Sequence, residues 1–173
     1  MKYKDMTGMP GMKFAMTISA MDCSGCGSCA QVCPGMKGNK ALAMSPIDNE
    51  RPGQEVFDYG VKLDPKPEVL AKFKDTTVKG SQFKQPLLEF SGACGGCGET
   101  PYAKLVTQLF GDKMYIANAT GCSSIWGGSA PATPYTVNKQ GHGPAWQNSL
   151  FEDNAESVSY THLRAHETDS YLV

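Results

Sequence analysis

The sequence predicts an α+β protein in two parts, and three observations support this class. A loop-rich first part, residues 1–80, carries four cysteines within eleven residues. A second part, from residue 81, contains a helical apolar pattern, a short apolar strand and a glycine turn, in that order. A stretch rich in Pro, Lys and Asp, residues 65–85, separates the two cysteine groups. A small cysteine-rich domain followed by an α/β domain is therefore expected.

The first cysteine group has the C-x2-C-x2-C-x3-C-P spacing with which bacterial proteins hold a 4Fe-4S cluster. It consists of Cys23, Cys26, Cys29 and Cys33, followed by Pro34. Gly25 and Gly27 suit the tight bends that such a loop needs. In two-cluster ferredoxins the fourth cysteine turns away to bind the other cluster. The motif indicates electron transfer and implies a second motif of the same kind.

A structural zinc site and a disulfide framework are the alternatives for these cysteines. Zinc has no need of four cysteines within eleven residues, and the chain has seven cysteines, an odd number. The first residues are polar and lack the apolar core of a secretory signal. The thiols are therefore predicted to be reduced, metal-bound and cytoplasmic.

Charge and hydropathy give little indication of partners. Sixteen basic and seventeen acidic residues nearly cancel, and no basic run is interleaved with aromatic residues. No apolar run is long enough to span a bilayer. Neither nucleic acid nor a membrane is expected as a partner.

Three elements can be predicted around the second cysteine group. Residues 65–73 predict a short helix after a turn. A second helix begins with Thr100 as N-cap and Pro101 in its first turn, and Gly111 ends it. Its predicted apolar face consists of Tyr102, Leu105, Val106, Leu109 and Phe110. Residues 113–117 predict a buried strand, followed by a turn of small residues where parallel α/β sheets bind ligands.

Cys94 and Cys97 form a glycine-filled C-x2-C pair, and Cys122 lies in the turn after the strand. The pair could alternatively form a redox-active disulfide of thioredoxin type, and Cys122 could be a buried structural thiol. Three cysteines in one domain favour one corner of a metal cluster instead.

Other polar and aromatic residues receive no catalytic assignment. Glu99 is expected to stabilise a helix start. His142 lies between glycines in a predicted loop, and Trp126 and Trp146 are expected to be core or interface anchors. Asp153 and Glu156 complete the acid and base candidates.

Several long strings give the chain a specific resemblance. They are Ser91-Gly-Ala-Cys94-Gly-Gly-Cys97-Gly-Glu-Thr-Pro-Tyr102, Ile116-Ala-Asn-Ala-Thr-Gly-Cys122-Ser-Ser-Ile125, Gly127-Gly-Ser-Ala-Pro131 and Gly143-Pro-Ala-Trp146-Gln-Asn-Ser-Leu-Phe-Glu-Asp-Asn-Ala-Glu156. Residues 21–156 resemble an internal piece of the pyruvate:ferredoxin (flavodoxin) oxidoreductase family, which uses thiamine diphosphate and three 4Fe-4S clusters.

The resemblance implies a partial ferredoxin-like 4Fe-4S domain over residues 1–80 and the start of an α/β thiamine-diphosphate-binding domain over residues 81–156. Cys94, Cys97 and Cys122 match ligands of the cluster nearest thiamine. Cys23, Cys26 and Cys29 match ligands of the middle cluster, and Cys33 matches one ligand of the outermost cluster. Thr120, Gly121, Cys122 and Ser123 match neighbours of the thiazolium end, for which a plain strand-end turn is the alternative.

The implied activity is oxidative decarboxylation of pyruvate to acetyl-CoA, with electrons passing through the clusters to ferredoxin or flavodoxin. The intact enzyme would also need Mg2+, coenzyme A, the rest of the same polypeptide and a second subunit in a homodimer. The Gly-Asp-Gly segment that presents magnesium is absent, so this polypeptide alone is expected to show no turnover. A non-enzymatic ferredoxin-like carrier and another 2-oxoacid:ferredoxin oxidoreductase are the alternatives.

Residues 157–173 depart from the family pattern and resemble a translated sequencing adapter. His162 and His166 within this tail are therefore given no functional weight.

Overall fold

A computed structural model describes residues 3–35, 38–128 and 132–148. The chain divides into two compact units, Met1–Asp64 and Pro65–Val173. The division falls at the start of the predicted boundary segment, residues 65–85, and the assignment of domains to residues 1–80 and 81–156 stays a prediction. The adapter-like tail, Asp153 and Glu156 lie outside the described residues.

The first unit consists of short elements joined by loops. Its strands β1 and β2 pair antiparallel, with Lys4 opposite Phe14. The bounds of its elements are β1 Lys4–Asp5, β2 Lys13–Phe14, α1 Ser28–Val32, α2 Ile47–Glu50, a 3-10 turn Arg51–Gly53 and α3 Gln54–Val61.

Gln54, the first residue of α3, holds the loop that leads into the first cysteine group. Its Oε1 accepts from the backbone N–H of Met21 at 3.0 Å, and its Nε2 donates to Ser19 Oγ at 3.0 Å. Ser19 is buried, so this hydrogen bond satisfies a polar group that water does not reach. The entry to the cysteine loop is thereby fixed to a helix.

Apolar burial in the first unit is sparse. Among its described residues, Met6 is the only large apolar side chain that is buried, whereas Phe14, Met16 and Ile18 are 41%, 64% and 52% exposed. The hydrophobic contribution to stability scales with the apolar area removed from water. The described residues of this unit therefore lack a conventional core.

The second unit contains four helices and a parallel strand pair in its described residues. Helix α4 confirms the short helix predicted within residues 65–73. The bounds are α4 Pro67–Lys72, α5 Val78–Ser81, α6 Thr100–Phe110, a 3-10 turn Gly111–Lys113, β3 Tyr115–Asn118, α7 Cys122–Gly128 and β4 Ala145–Asn148.

Helix α6 starts near the predicted position, but its N-cap is Glu99 rather than Thr100. The carbonyl of Glu99 accepts from the N–H groups of Tyr102 and Ala103, both at 3.1 Å. Thr100 therefore lies inside the first turn. Pro101 occupies the first turn as predicted, where its missing N–H costs no intrahelical hydrogen bond.

The apolar face predicted for α6 is only partly buried, since Leu105 and Leu109 are half-buried. Tyr102, Val106 and Phe110 are 74%, 41% and 59% exposed, whereas Thr107 and Gln108 are 2% and 5% exposed. The most deeply buried side chains of the helix are therefore polar.

Hydrogen bonds explain why these polar side chains are buried, because residues 82–88 attach to α6 through them. The N–H of Leu87 donates to Thr107 Oγ1 at 3.1 Å, and Gln108 Nε2 donates to the carbonyl of Lys84 at 2.9 Å. Leu87 also lies so close to Gly111 that a Cβ there would be 3.0 Å from Leu87 Cδ1. Gly111 ends α6 as predicted, with right-handed backbone (φ −56°), so close packing rather than a left-handed turn favours glycine.

The strand predicted over residues 113–117 lies at Tyr115–Asn118, and its predicted burial is wrong. Its residues alternate between exposed and half-buried, and Tyr115 is 91% exposed. Strand β3 pairs in parallel with β4, with Tyr115 opposite Ala145, and only one of its faces is partly covered, since Ile116 and Asn118 are half-buried. The predicted order of strand, small-residue turn and Cys122 is nevertheless observed, since α7 follows β3 after three residues.

No helix in the described ranges combines the length and the apolar character needed to cross a bilayer.

The Thr107 contact predicts a stability effect. Thr107→Val keeps the side-chain shape but leaves the buried N–H of Leu87 without its acceptor, which should lower the free energy of unfolding by about 1–3 kcal/mol in urea titrations. Thr107→Ser retains the hydroxyl and should recover most of the loss. Equal losses for Val and Ser would contradict a hydrogen-bonding role.

Glu89 predicts a pH dependence. Burial raises the pKa of Glu89 above its usual range, opposed by the nearby Lys104. The folded state therefore holds this proton to higher pH than the unfolded chain, so the associated stability is lost as pH rises through the folded pKa. Glu89→Gln should flatten this dependence in urea titrations from pH 4 to 8 and stabilise the protein at pH 7, by less than about 1 kcal/mol. Lys104→Gln should steepen the dependence, and an unchanged pH slope in Glu89→Gln would refute the assignment.

Candidate functional site

The first cysteine group lies on a loop and the short helix that follows it. Cys23 and Cys26 precede α1, Cys29 lies within it, and Cys33 is its C-cap. Gly25 and Gly27 have φ values of 70° and 76°, the left-handed region that favours glycine. The predicted role of these two glycines in bending the loop is confirmed.

Two of these thiols lie among hydrogen-bonding groups that favour the thiolate. A hydrogen bond to the Ser28 side chain, 3.5 Å away, lowers the pKa of Cys26. The backbone amide of Leu42, followed by that of Ala41 and the charge of Lys40, lowers the pKa of Cys33. The N–H of Ala41 lies 3.3 Å from Cys33 Sγ. Thiolates are the metal-binding form of cysteine, so this environment suits a metal ligand.

Lys40 holds the segment 38–42 next to Cys33 by hydrogen bonds to helix α1. Its ammonium donates to the carbonyls of Ala30 and Gln31 at 2.8 and 2.7 Å. These carbonyls lie in the last turn of α1, where helices leave C=O groups unsatisfied and favour cations. The lysine thus supports the amides that face the Cys33 sulfur.

The second group is divided between a glycine turn and the start of α7. The N–H of Cys97 donates to the carbonyl of Cys94 at 3.0 Å, and Gly96 between them has a φ of 75°. Cys122 is the first residue of α7. Cys94 and Cys122 are exposed and Cys97 is half-buried.

The turn between β3 and α7 is held by its own polar groups. Ser124 Oγ accepts from the N–H of Gly121 at 2.9 Å and donates to its carbonyl at 2.7 Å. Asn118 Nδ2 donates to the carbonyl of Ser123 at 3.1 Å. The predicted cofactor neighbours Thr120, Gly121, Cys122 and Ser123 therefore lie together at the carboxyl end of β3, and their contact with thiamine stays a prediction.

A hydrogen bond that sequence analysis missed connects the cysteine turn to α7. Trp126 Nε1 donates to Glu99 Oε2 at 3.1 Å. Trp126 is 8% exposed and its ring lies 6.4 Å from that of Tyr135, which confirms its prediction as a core anchor. The two partners are 27 residues apart, and a contact at that separation leaves no periodic signal in a sequence.

The second tryptophan lies against two glycines of α7. A Cβ at Gly127 would be 3.1 Å from Trp146 Nε1, and a Cβ at Gly128 would overlap the six-membered ring. The Trp146 indole N–H is buried and has no hydrogen-bond partner in the described part of the chain. Close approach of this ring explains the Gly127-Gly128 pair. His142, by contrast, is exposed in a turn where its N–H donates to Asn138 Oδ1 at 3.0 Å.

All seven cysteines are free thiols. Within residues 3–35, 38–128 and 132–148, no three His, Cys, Asp or Glu side chains come close enough together to hold a metal ion. The donor chemistry fits a thiolate-bound iron–sulfur cluster, because free thiols flank left-handed glycines and two of them favour the thiolate. The ligand assignment within each unit stays a prediction.

Comparison with known proteins gives several close matches. The chain is 65% identical over 147 residues to the pyruvate:ferredoxin oxidoreductase of Moorella thermoacetica, a match covering 84% of this chain and 12% of that protein. It is 63% identical over 153 residues to the pyruvate-flavodoxin oxidoreductase of Enterobacter agglomerans, covering 88% of this chain and 13% of that protein. A pyruvate dehydrogenase [NADP(+)] of Cryptosporidium parvum is 56% identical over 83% of this chain and 7% of its own length. No protein-family model matches the chain.

These relatives are all oxidoreductases named for pyruvate, and the chain matches a segment of that class of enzyme. The match is to a segment of pyruvate:ferredoxin and pyruvate-flavodoxin oxidoreductases, as its sequence strings predicted. The chain spans 12% of the length of the Moorella thermoacetica relative and 13% of the length of the Enterobacter agglomerans relative.

The Trp146 packing predicts a second stability effect. A methyl group at Gly128 would overlap the Trp146 ring, so Gly128→Ala should lower the free energy of unfolding by about 1–3 kcal/mol. Gly121→Ala is the matched control, because nothing lies within 4 Å of its Cβ position. Urea titrations followed by tryptophan fluorescence measure both, and equal effects would refute the close approach.

Proposed function

We propose that the chain is part of a pyruvate:ferredoxin (flavodoxin) oxidoreductase, which decarboxylates pyruvate oxidatively to acetyl-CoA and reduces ferredoxin or flavodoxin. The observation that carries the proposal is 65% identity over 84% of the chain to a protein with that name. Identity at this level extends well beyond the cysteine spacing, which many unrelated iron–sulfur proteins share.

In this proposal the first part is a partial ferredoxin-like 4Fe-4S domain and the second is the start of an α/β thiamine-diphosphate-binding domain. Cys23, Cys26 and Cys29 hold one cluster, and Cys33 contributes to another. The left-handed glycines of the loop and the amides facing the Cys33 sulfur support this part of the assignment. Amides directed at a cluster ligand stabilise its negative charge and tune its potential.

Cys94, Cys97 and Cys122 hold the cluster nearest thiamine, and Thr120, Gly121, Cys122 and Ser123 form part of the wall around the thiazolium. The position of the turn after a strand that pairs in parallel supports this. Thiamine diphosphate with Mg2+ supplies the carbanion chemistry, and the clusters carry single electrons. The chain's own residues provide thiolate ligands and a turn held rigid by Ser124 and Asn118.

The remaining components follow from the same proposal. Pyruvate and coenzyme A bind with the participation of the rest of the polypeptide, and the intact enzyme is a homodimer in the cytoplasm. The free thiols are consistent with a reducing compartment. Relatives named for ferredoxin, flavodoxin and NADP(+) match the same segment, so the segment serves a step that precedes the choice of final acceptor.

The test is a segment replacement in the Moorella thermoacetica relative. The stretch aligned with this chain is exchanged for this chain's residues, and pyruvate-dependent reduction of ferredoxin is measured anaerobically with coenzyme A. We expect the chimera to retain activity, since the exchanged stretches are 65% identical. Cys97→Ser in the chimera should abolish ferredoxin reduction by removing a predicted cluster ligand.

A matched control separates ligand loss from general damage. Ser91→Ala changes a hydroxyl whose contact is a 3.4 Å bond to the N–H of Ala93 and should leave the chimera active. A chimera that folds as the parent does, carries its thiamine cofactor and yet fails to oxidise pyruvate would contradict the proposed function.

A further inference from the structure

The hydrogen bond between Trp126 and Glu99 connects two segments that carry predicted metal ligands. Glu99 lies two residues after Cys97, and Trp126 lies four residues after Cys122 on α7. Residues four apart on a helix share a face. The bond therefore joins the residue next to the Cys94 and Cys97 turn to the side of α7 that begins at Cys122.

The tryptophan end of this bond is held firmly. The start of α7 is fixed by the Ser124 bonds to Gly121 and by the Asn118 bond to Ser123. Trp126 itself is 8% exposed and packs beside Tyr135. The segment bearing Tyr135 is in turn paired with residues 87–89, through Glu89 N–H to the carbonyl of Pro134 at 2.9 Å.

The glutamate end adjoins a segment with little packing of its own. Gly92 and Gly96 have φ values of 65° and 75°, and a Cβ at Gly92 or at Gly98 would meet nothing within 4 Å. Cys94 is exposed. A glycine-rich segment of this kind has many accessible backbone conformations, so a fixed contact at Glu99 restricts where Cys97 can lie.

We propose that Glu99 and Trp126 are positioning residues, whose hydrogen bond limits where the Cys94 and Cys97 turn can lie relative to the start of α7, so that the three thiolates need a smaller rearrangement to close on one metal centre. The inference rests on the proposed function, which assigns Cys94, Cys97 and Cys122 as metal ligands. The bond acts on metal affinity by reducing the conformational freedom that the turn loses when metal binds. Neither residue is itself a ligand.

The experiment uses Co2+ as the probe, added anaerobically to the full chain with Cys23, Cys26, Cys29 and Cys33 changed to Ser. Only the three thiols of the second unit then remain. Thiolate-to-cobalt absorbance reports binding directly and gives the dissociation constant without any assay of the enzyme. Cys94→Ser, Cys97→Ser and Cys122→Ser in this background, each made alone, establish whether the absorbance depends on all three thiols.

Trp126→Phe removes the indole N–H but keeps the aromatic ring and the Glu99 charge, and we expect it to weaken Co2+ binding about tenfold. Trp146→Phe is the matched control, because it deletes an indole N–H that has no partner in the described residues. This variant should bind Co2+ as the parent does. Urea titrations of both variants show whether a change in affinity follows a change in stability.

Substitutions at Glu99 separate positioning from simple charge attraction. Glu99→Ala should weaken binding about as much as Trp126→Phe, and the double variant no further, since both remove the same bond. Glu99→Gln keeps an acceptor oxygen without the charge and should recover part of the affinity.

Three outcomes overturn the inference in different ways. Equal affinities of Trp126→Phe and Trp146→Phe contradict the positioning role alone, and so does a loss in Glu99→Gln as large as in Glu99→Ala. If Co2+ absorbance is absent in the background chain, or unchanged by any one of Cys94→Ser, Cys97→Ser and Cys122→Ser, the three-thiol ligand assignment fails and the positioning role fails with it.

Discussion

Scarce apolar burial constrains how this chain is held together. A fully buried Leu, Phe or Met side chain contributes about 1.5–3 kcal/mol, whereas ordering the backbone of one residue costs about 1–2 kcal/mol. Met6 is the one large apolar side chain buried among the described residues of the first unit. These residues therefore depend on polar contacts such as those of Gln54 and Lys40, and we propose that metal binding by the four thiols adds to them. In small metal-binding domains, the free energy of metal binding contributes directly to the stability of the fold.

The second unit combines a small apolar core, which includes Val69, Leu87 and Leu88, with buried polar contacts. Thr107 and Gln108 lie under residues 82–88, while the apolar side chains Tyr102 and Phe110 of α6 face outward. Trp126 packs beside Tyr135 and donates a hydrogen bond to Glu99, which lies next to the Cys94 and Cys97 turn. The contact between Glu99 and Trp126 thus links the packed part of the unit to the segment that carries Cys94 and Cys97.

Local features were predictable from the sequence, and long-range ones were not. The spacing of the first motif required bends, and Gly25 and Gly27 supply them with positive φ. The order of β3, turn and Cys122 also followed from local composition. Periodicity identified an apolar stripe on α6 but could not reveal that residues 82–88 pack on its other side. That packing depends on hydrogen bonds between residues that lie 20 or more positions apart in the sequence. Glu99 and Trp126 were missed for the same reason.

Amide hydrogen exchange, measured with and without anaerobic loading of iron and sulfide, tests most directly whether the thiols organise the first unit. We expect residues 23–33 and the neighbouring segment 38–42 to exchange rapidly in the metal-free chain and to become protected when iron and sulfide bind. Protection in the second unit, around Thr107 and Gln108, should already be present without metal. Equal protection of residues 23–42 in both states would contradict metal-dependent folding of the first unit.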